Sequence, residues 1–196
     1  MKSFELKGTS RTIAERSSDQ ARALKAMRRQ NNIPCVIYGG EKNINFSVAF
    51  EDVRKLVYTP HIYVVDLFID GEKHNAILKD IQFHPVKDTI LHIDFLEINE
   101  EKPIVMEVPL KLVGLAEGVK SGGKLQQSMR KLKVKALYNV IPERLDIDIT
   151  DLKLGKSKKI ADLNFEGLEL INPKSAVICS VAATRQTATA AAEAAK

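Results

Sequence analysis

The strongest local constraint in this chain is the run Tyr63 to Ile69, Asp70-Gly71, then Glu72 to Lys79, two alternating stretches around an Asp-Gly pair. Asp-Gly is what a two-residue type I′ turn asks for, because both central residues take positive φ. A lone hairpin is marginal in water, so this one must add strands or a helix to cover its apolar face. The neighbouring sequence supplies them. Residues 2–6 read as a short strand, after which Gly8-Thr9-Ser10-Arg11-Thr12 begins a polar loop. Pro34 opens the apolar strand Cys35 to Tyr38, closed by Gly39-Gly40, with Ile44 to Val48 as its returning partner. Further strands are expected at Ile81 to Phe83 and Ile90 to Ile98.

Two helices interrupt this pattern. Ser17, Ser18 and Asp19 are candidate N-caps for a helix over 19–31, with Ala21, Leu24 and Met27 on an inner face. Arg22, Lys25 and Arg29 fall on a different stripe, flanked by Arg28, so the same helix presents a cationic side. Phe50 to Tyr58 carries Val53, Leu56 and Val57 at helical spacing and stops at Thr59-Pro60. The first half is therefore a small, mostly antiparallel sheet with two helices.

At 196 residues the chain is long enough for two modest domains. The polar, proline-ended segment 99–103 separates two apolar patterns and marks the expected linker between residues 1–98 and a second β-rich unit at 104–183. In that unit Ile104 to Val113, Lys131 to Leu137, Leu145 to Ile149 and Ala176 to Val181 read as strands with one wet face. Asp151 to Leu154 and Asp162 to Leu168 are too short to assign. The stretch 184–196 has no large apolar residue and is expected to form a flexible tail. The fold class that follows is mainly β with a few short helices, α+β, in two domains.

Charge points to one class of partner. Residues 1–40 hold eight Lys or Arg against three acids, and the remainder of the chain balances, so the net +5 is carried by the amino-terminal fifth. A clustered surplus of this kind suits a surface that meets a polyanion in one place. No apolar run approaches the roughly 20 residues of a membrane span, and the first residues lack the apolar core of a signal peptide, so we expect a cytoplasmic protein with no membrane partner. Cys35 and Cys179 sit in separate apolar runs, as small buried side chains do. His61, His74, His84 and His92 show no metal-ligand spacing, so neither a metal nor a cofactor is expected.

Two strings have enzyme-like features. Gly118-Val119-Lys120-Ser121-Gly122-Gly123-Lys124 has the glycine and lysine spacing of a phosphate-binding loop, but Leu125 stands where Ser or Thr must hold magnesium. His92 and Asp94, two apart on one strand, share a face. Without a nucleophile nearby, that pair suits the reading of base edges or ribose hydroxyls better than acid/base catalysis.

The motif Ile33-Pro34-Cys35-Val36-Ile37-Tyr38-Gly39-Gly40, with Lys79-Asp80-Ile81-Gln82-Phe83-His84-Pro85 and Leu91-His92-Ile93-Asp94-Phe95, resembles bacterial ribosomal protein L-twenty-five. Gly118 to Gly123 and Ile141-Pro142-Glu143 extend the likeness to the long, general stress protein Ctc form, up to about Val181. The resemblance implies an amino-terminal β-barrel-like domain that binds the loop E region of 5S ribosomal RNA through its minor groove. It also implies a carboxy-terminal β domain extending over the large subunit, among other ribosomal RNA and proteins, and no catalysis. By position, the RNA-facing set it implies is Lys25, Arg28, Tyr38, Lys79, His92 and Asp94, with Arg11, Arg22 and Arg29 added on charge. The family's basic run is replaced here by Ser17 to Ala21 and Ala23 to Arg29, so the contacts of residues 17–25 are expected to be locally rewired. The free protein is expected to be a monomer. Two alternatives stand beside this reading: a nucleotide-dependent stress enzyme using Gly118 to Lys124, and a stress-responsive protein-binding module.

Overall fold

The computed structural model describes residues 2–12, 17–40, 42–99 and 102–184, the side chain of Ser17 excepted. The chain divides into two compact units, Met1–Lys102 and Pro103–Lys196. No helix among the described residues is long and apolar enough to cross a membrane. The tail expected over 184–196 lies, from residue 185 on, outside the described residues, as do Glu100 and Glu101 of the expected linker.

Six strands of the first unit close into a barrel: β1 (Lys2–Ser10), β2 (Asn32–Tyr38), β3 (Ile44–Ala49), β4 (Tyr63–Ile69), β5 (Glu72–Phe83) and β6 (Ile90–Glu97). Their order around the barrel is β1-β3-β2-β6-β5-β4. β1 runs parallel to β4 and β2 parallel to β6, while the other four pairings are antiparallel. The Asp-Gly hairpin forms as its sequence requires, with Ile69 opposite Glu72 and φ of 50° at Asp70 and 97° at Gly71. Alternate residues turn inward. Leu6, Cys35, Ile37, Phe46, Val65, Leu67, Ile93 and Phe95 are all buried, and the rings of Phe46 and Phe95 lie 5.7 Å apart. Each large apolar side chain so buried contributes roughly 1.5–3 kcal/mol. Closure removes the exposed edges that a six-stranded open sheet would leave.

Helix α1 (Ser17–Arg29) enters β2, and α2 (Phe50–Val57) buries Val53 and Leu56 against the barrel core. The α1 exit uses Asn31 at φ 59°, and Phe50 N–H donates to Asn31 O at 2.9 Å. Pro34 precedes the point where β6 joins β2 at Cys35 opposite Ile93, so its missing N–H leaves no ladder bond unmade on that side.

Three expectations are corrected in this unit. β1 continues through Gly8 to Ser10, where the polar composition predicts a loop, because Gly8 allows close approach: a Cβ there would meet Phe46 Cδ2 at 2.7 Å. Residues 72–83 form one strand rather than two, bent by register shifts between Leu78 and Asp80 and between Gln82 and Phe83. On α1 the half-buried stripe is Gln20, Leu24 and Met27, and Ala21 is exposed.

The second unit contains β7 (Ile104–Val113), α3 (Glu117–Lys120), β8 (Lys124–Gln127), β9 (Lys131–Ala136), β10 (Leu145–Asp148), β11 (Ser157–Lys159), β12 (Glu169–Leu170) and β13 (Val177–Ala182). They form a four-stranded sheet in the order β10-β7-β9-β12 and a three-stranded sheet β11-β13-β8. Met106, Val108, Leu132, Val134, Leu145, Ile147, Ile178 and Val181 are buried within it. The protein is thus mainly β, a barrel and a second β domain, as its alternation implies. β8, β11 and β12 have no counterpart among the expected strands, since two to four polar-rich residues carry no readable period.

Candidate nucleic-acid interface

The outer wall of the barrel at β2, β6 and β5 brings together residues that are far apart in sequence. On β6 the buried Ile93 and Phe95 point inward, which turns His92, Asp94 and Leu96 outward. Register then names their neighbours. Val36 and Tyr38 of β2 stand beside Asp94 and Leu96, while Asp80 and Gln82 of β5 stand opposite Asp94 and His92.

At the centre His92 Nδ1 and Asp94 Oδ1 are 2.6 Å apart, with the two side chains 24% and 28% exposed. A contact this short between partly shielded groups is a charge-assisted hydrogen bond when the imidazole is protonated. In either protonation state the carboxylate holds the ring in place, leaving His92 Nε2 and the second carboxylate oxygen for an outside partner. Burial pushes the Tyr38 phenol above its ordinary value of 10.0, and the Asp94 and Asp80 carboxylates push it further. Tyr38 is therefore electrostatically within reach of both acids and stays a hydrogen-bond donor at neutral pH.

Cationic groups border this wall. Arg11 extends the pairing of β1 with β3, its N–H donating to Asn45 O at 2.9 Å, and Asn45 pairs with Val36. One row therefore runs Arg11, Asn45, Val36, Asp94, Asp80 across the wall. Arg11 Nε is shielded from solvent without a hydrogen-bond partner among the described residues. From α1, Arg28 Nε donates to Leu91 O at 3.1 Å, which anchors the end of the helix one residue from His92. Lys25 and Arg29 are exposed on the same helix and make no ion pair among the described residues. Arg22 lies 3.9 Å from Asp19, both highly exposed, a contact of little energy. Lys79 occupies the irregular step between Leu78 and Asp80.

The structure thus groups Arg11, Arg28, Tyr38, Lys79, His92 and Asp94 on or beside one wall, with Lys25, Arg22 and Arg29 on the adjoining helix. It adds Asp80 and Gln82, which are absent from the set the sequence suggests. Counting back from the turn between β5 and β6 mispairs them, because the register shift between Gln82 and Phe83 intervenes. His84, which showed no ligand spacing, builds the turn instead: its Nδ1 accepts from the N–H groups of Val86 and Lys87 at 3.2 Å each.

Gly118 to Lys124 is a different object from a phosphate loop. Such a loop follows a strand and its lysine opens a helix, whereas here a four-residue helix comes first and Lys124 opens β8. Its glycines serve close packing. Gly118 N–H donates to Leu152 O at 2.9 Å, and a Cβ on Gly118 would sit 2.6 Å from Leu154 N and 2.7 Å from Lys153 C.

Comparison with known proteins matches each half of the chain to a family model. The model described as Ribosomal L25p family matches residues 7–95, and the one described as Ribosomal protein TL5, C-terminal domain matches residues 103–185. Proteins named large ribosomal subunit protein bL25 align along the chain. The one from Bacteroides fragilis is 66% identical over 196 residues, and that from Bacteroides thetaiotaomicron 65%, each covering both chains completely. The one from Parabacteroides distasonis is 61% identical over 185 residues, 94% of this chain and 95% of that protein.

Proposed function

The chain belongs to the ribosomal L25p family, in the long form with a TL5-type second domain, and from that premise we propose that its barrel grips 5S ribosomal RNA at the loop E region. As a member of that family it is a structural constituent of the bacterial large ribosomal subunit, in the cytoplasm, and not an enzyme.

The observation that carries the finer reading is the outward-facing His92–Asp94 pair at 2.6 Å, set in register with Tyr38 on one side and Asp80 and Gln82 on the other. A-form RNA offers a wide, shallow minor groove lined with base edges and 2′-hydroxyls, which a gently convex β wall can enter. Asp94 accepts from amino or hydroxyl donors there, and His92 and Tyr38 supply donors. Phosphates on either side of the groove meet Arg28, Lys25 and Arg29 of α1 and Arg11 of the barrel rim, which fix orientation without reading sequence. The acids make sense in this scheme. On a surface meant only for phosphates, Asp80 and Asp94 would repel the ligand, whereas base-edge donors require them.

The test is a gel-shift titration of the full chain against 5S ribosomal RNA, a loop E mutant of it and an unrelated hairpin, at several salt concentrations. Tight binding lost on the loop E mutant is the expected result. Equal, weak binding to all three that moderate salt erases would refute the assignment.

A further inference from the structure

The net charge of the chain conceals a second basic region. Residues 41–102 hold seven Lys or Arg against twelve acids, while 103–196 hold fifteen against ten. The second unit is therefore a cationic body in its own right.

Its lysines fall into two classes. On the four-stranded sheet Lys131 and Lys133 lie 3.8 Å and 4.0 Å from Glu107, and Lys135 lies 3.1 Å from Glu169. Those charges are answered within the domain. By contrast Lys111, Lys120, Lys124, Lys153, Lys156, Lys159 and Lys174 are exposed, and among the described residues none has its ammonium within 4.0 Å of a carboxylate, although Asp162 Oδ2 accepts the backbone N–H of Lys159 at 2.9 Å. Lys158 is set apart, half-buried beside Cys179 in the β11–β13 pairing, and it adds to the hydrogen bonds from the Thr150 hydroxyl and N–H that chiefly hold the Asp148 carboxyl below its ordinary range.

Five of them, all but Lys111 and Lys174, lie in two segments, 120–124 and 153–159, that the fold ties together. Gly118 N–H donates to Leu152 O at 2.9 Å, Gly155 N–H to Val181 O at 2.8 Å, and Val181 N–H to Lys156 O at 3.1 Å. Lys124 pairs with Ala182 on the far side of the same central strand, and Thr184 Oγ1 donates to Gly122 O at 3.0 Å. The glycines at 118 and 123 let these segments touch: a Cβ on either would lie within 2.7 Å of atoms of its neighbours. Beside them the register aligns Ser157, Ser180 and Gln126 across β11, β13 and β8, a row of neutral hydrogen-bonding side chains.

We infer that this edge of the second domain, the Lys120–Lys124 turn with the Lys153–Lys159 loop, is a second RNA-binding surface that takes the phosphate backbone of a ribosomal RNA segment. Cations brought to one edge by backbone hydrogen bonds, with no carboxylate paired to their ammonium groups among the described residues, are what a polyanion neutralises on binding. Hydroxyl and amide groups between them suit phosphate and 2′-hydroxyl oxygens. An RNA fits better than an acidic protein because the row offers no apolar anchor of the kind that dominates protein interfaces.

The experiment compares two triple variants of the full chain, K124Q/K156Q/K159Q from the unanswered set and K131Q/K133Q/K135Q from the paired ladder. Each loses three charges from the same domain. Binding is measured at several salt concentrations to an isolated loop E fragment, to large subunits depleted of this protein, and to protein-free large-subunit ribosomal RNA. For the first variant we expect affinity for the loop E fragment within about twofold of wild type. Its binding to the depleted subunits and to the protein-free RNA should weaken at least about tenfold, with a log–log salt slope shallower by about 2 to 3. The ladder variant should match wild type on all three probes. Equal losses from the two variants would overturn the proposal, reducing the surface to general charge. A loss on depleted subunits without one on protein-free RNA would also overturn it, assigning the surface to an acidic protein. If wild type failed on the loop E fragment while the contrast between the variants persisted on ribosomal RNA, the barrel assignment would fall and this one would stand.

Discussion

Replacing Asp94 by asparagine separates reading of the RNA from attraction to it, because the substitution keeps shape and removes charge. The amide oxygen of the new side chain can still accept from His92, so the 2.6 Å contact weakens without the outer wall collapsing. A hydrogen bond to a charged group contributes about 1.5–3 kcal/mol and one between neutral groups about 0.5–1.5, so one bond from Asp94 to the RNA should lose about 1 to 1.5 kcal/mol. At about 1.4 kcal/mol per factor of ten that is roughly a five- to tenfold rise in Kd for loop E RNA. Asp94→Ala, which removes the acceptor as well, should cost roughly 1–3 kcal/mol. For an unrelated hairpin the sign reverses, since losing a carboxylate that repels phosphate leaves binding equal or slightly tighter. Asp80 stands opposite Asp94, and relief of that like-charge pair offsets the weakened His92 contact, so thermal stability should barely change. A second readout reports on the site itself. The Tyr38 phenol, now held above its ordinary range by burial, then Asp94, then Asp80, should titrate at lower pH in the variant, although still above 10.0. Gel-shift titrations on both RNAs and a tyrosinate absorbance titration check these outcomes. Equal losses on the two RNAs, or an unmoved Tyr38, would refute the reasoning.

Three further perturbations have signs that the structure determines. Arg28→Ala should reduce the salt slope of RNA binding by about one contact, and Arg28→Lys should restore that slope without recovering full affinity, since the Nε bond to Leu91 O has no lysine equivalent. Burial raises the Cys35 thiol from 9.0 to about 12, with Arg11 opposing and Asp94 adding to the shift. The folded barrel therefore keeps this contribution below pH 9 and loses it as pH climbs from 9 towards 12, at up to about 1.4 kcal/mol per unit. Denaturant midpoints of wild type and Cys35→Ala against pH should converge over that window, and parallel curves would exclude the thiol as the cause. Gly118→Ala drives a Cβ into the backbone at Lys153 and Leu154 and should destabilise the second unit by about 1–3 kcal/mol, while the barrel's affinity for loop E RNA is unchanged.

The fold was legible wherever alternation or a special turn coincided with a strand. Asp70-Gly71 sets the β4–β5 hairpin because few other pairs accept φ of 50° and 97° in succession. The Lys131 to Ala136 alternation likewise exposes its lysines and buries Leu132 and Val134. Legibility ended where a residue's role depends on something outside its own segment. Gly8 reads locally as a loop glycine, and only the ring of Phe46 pressing on it explains why β1 runs on to Ser10. Ala21 looks like a helix contact, yet α1 rests on Gln20, Leu24 and Met27, because the rotation of a helix is set by the surface it lies on.

The candidate site divides in the same way. That His92 and Asp94 share a face, that α1 is cationic, and that the chain is a two-domain β protein all follow from the sequence alone, since strand and helix periods are local properties of the backbone. That Arg11, Val36, Asp94 and Asp80 form one row across the wall, and that Gln82 stands opposite His92, was decided only by barrel closure. The same holds for the two kinds of lysine in the second unit: composition counts charges, and tertiary structure decides which have partners. Pairing between strands distant in sequence is a collective result of burying Phe46, Ile93 and Phe95 in one core, and no local pattern encodes the register at which that burial is complete.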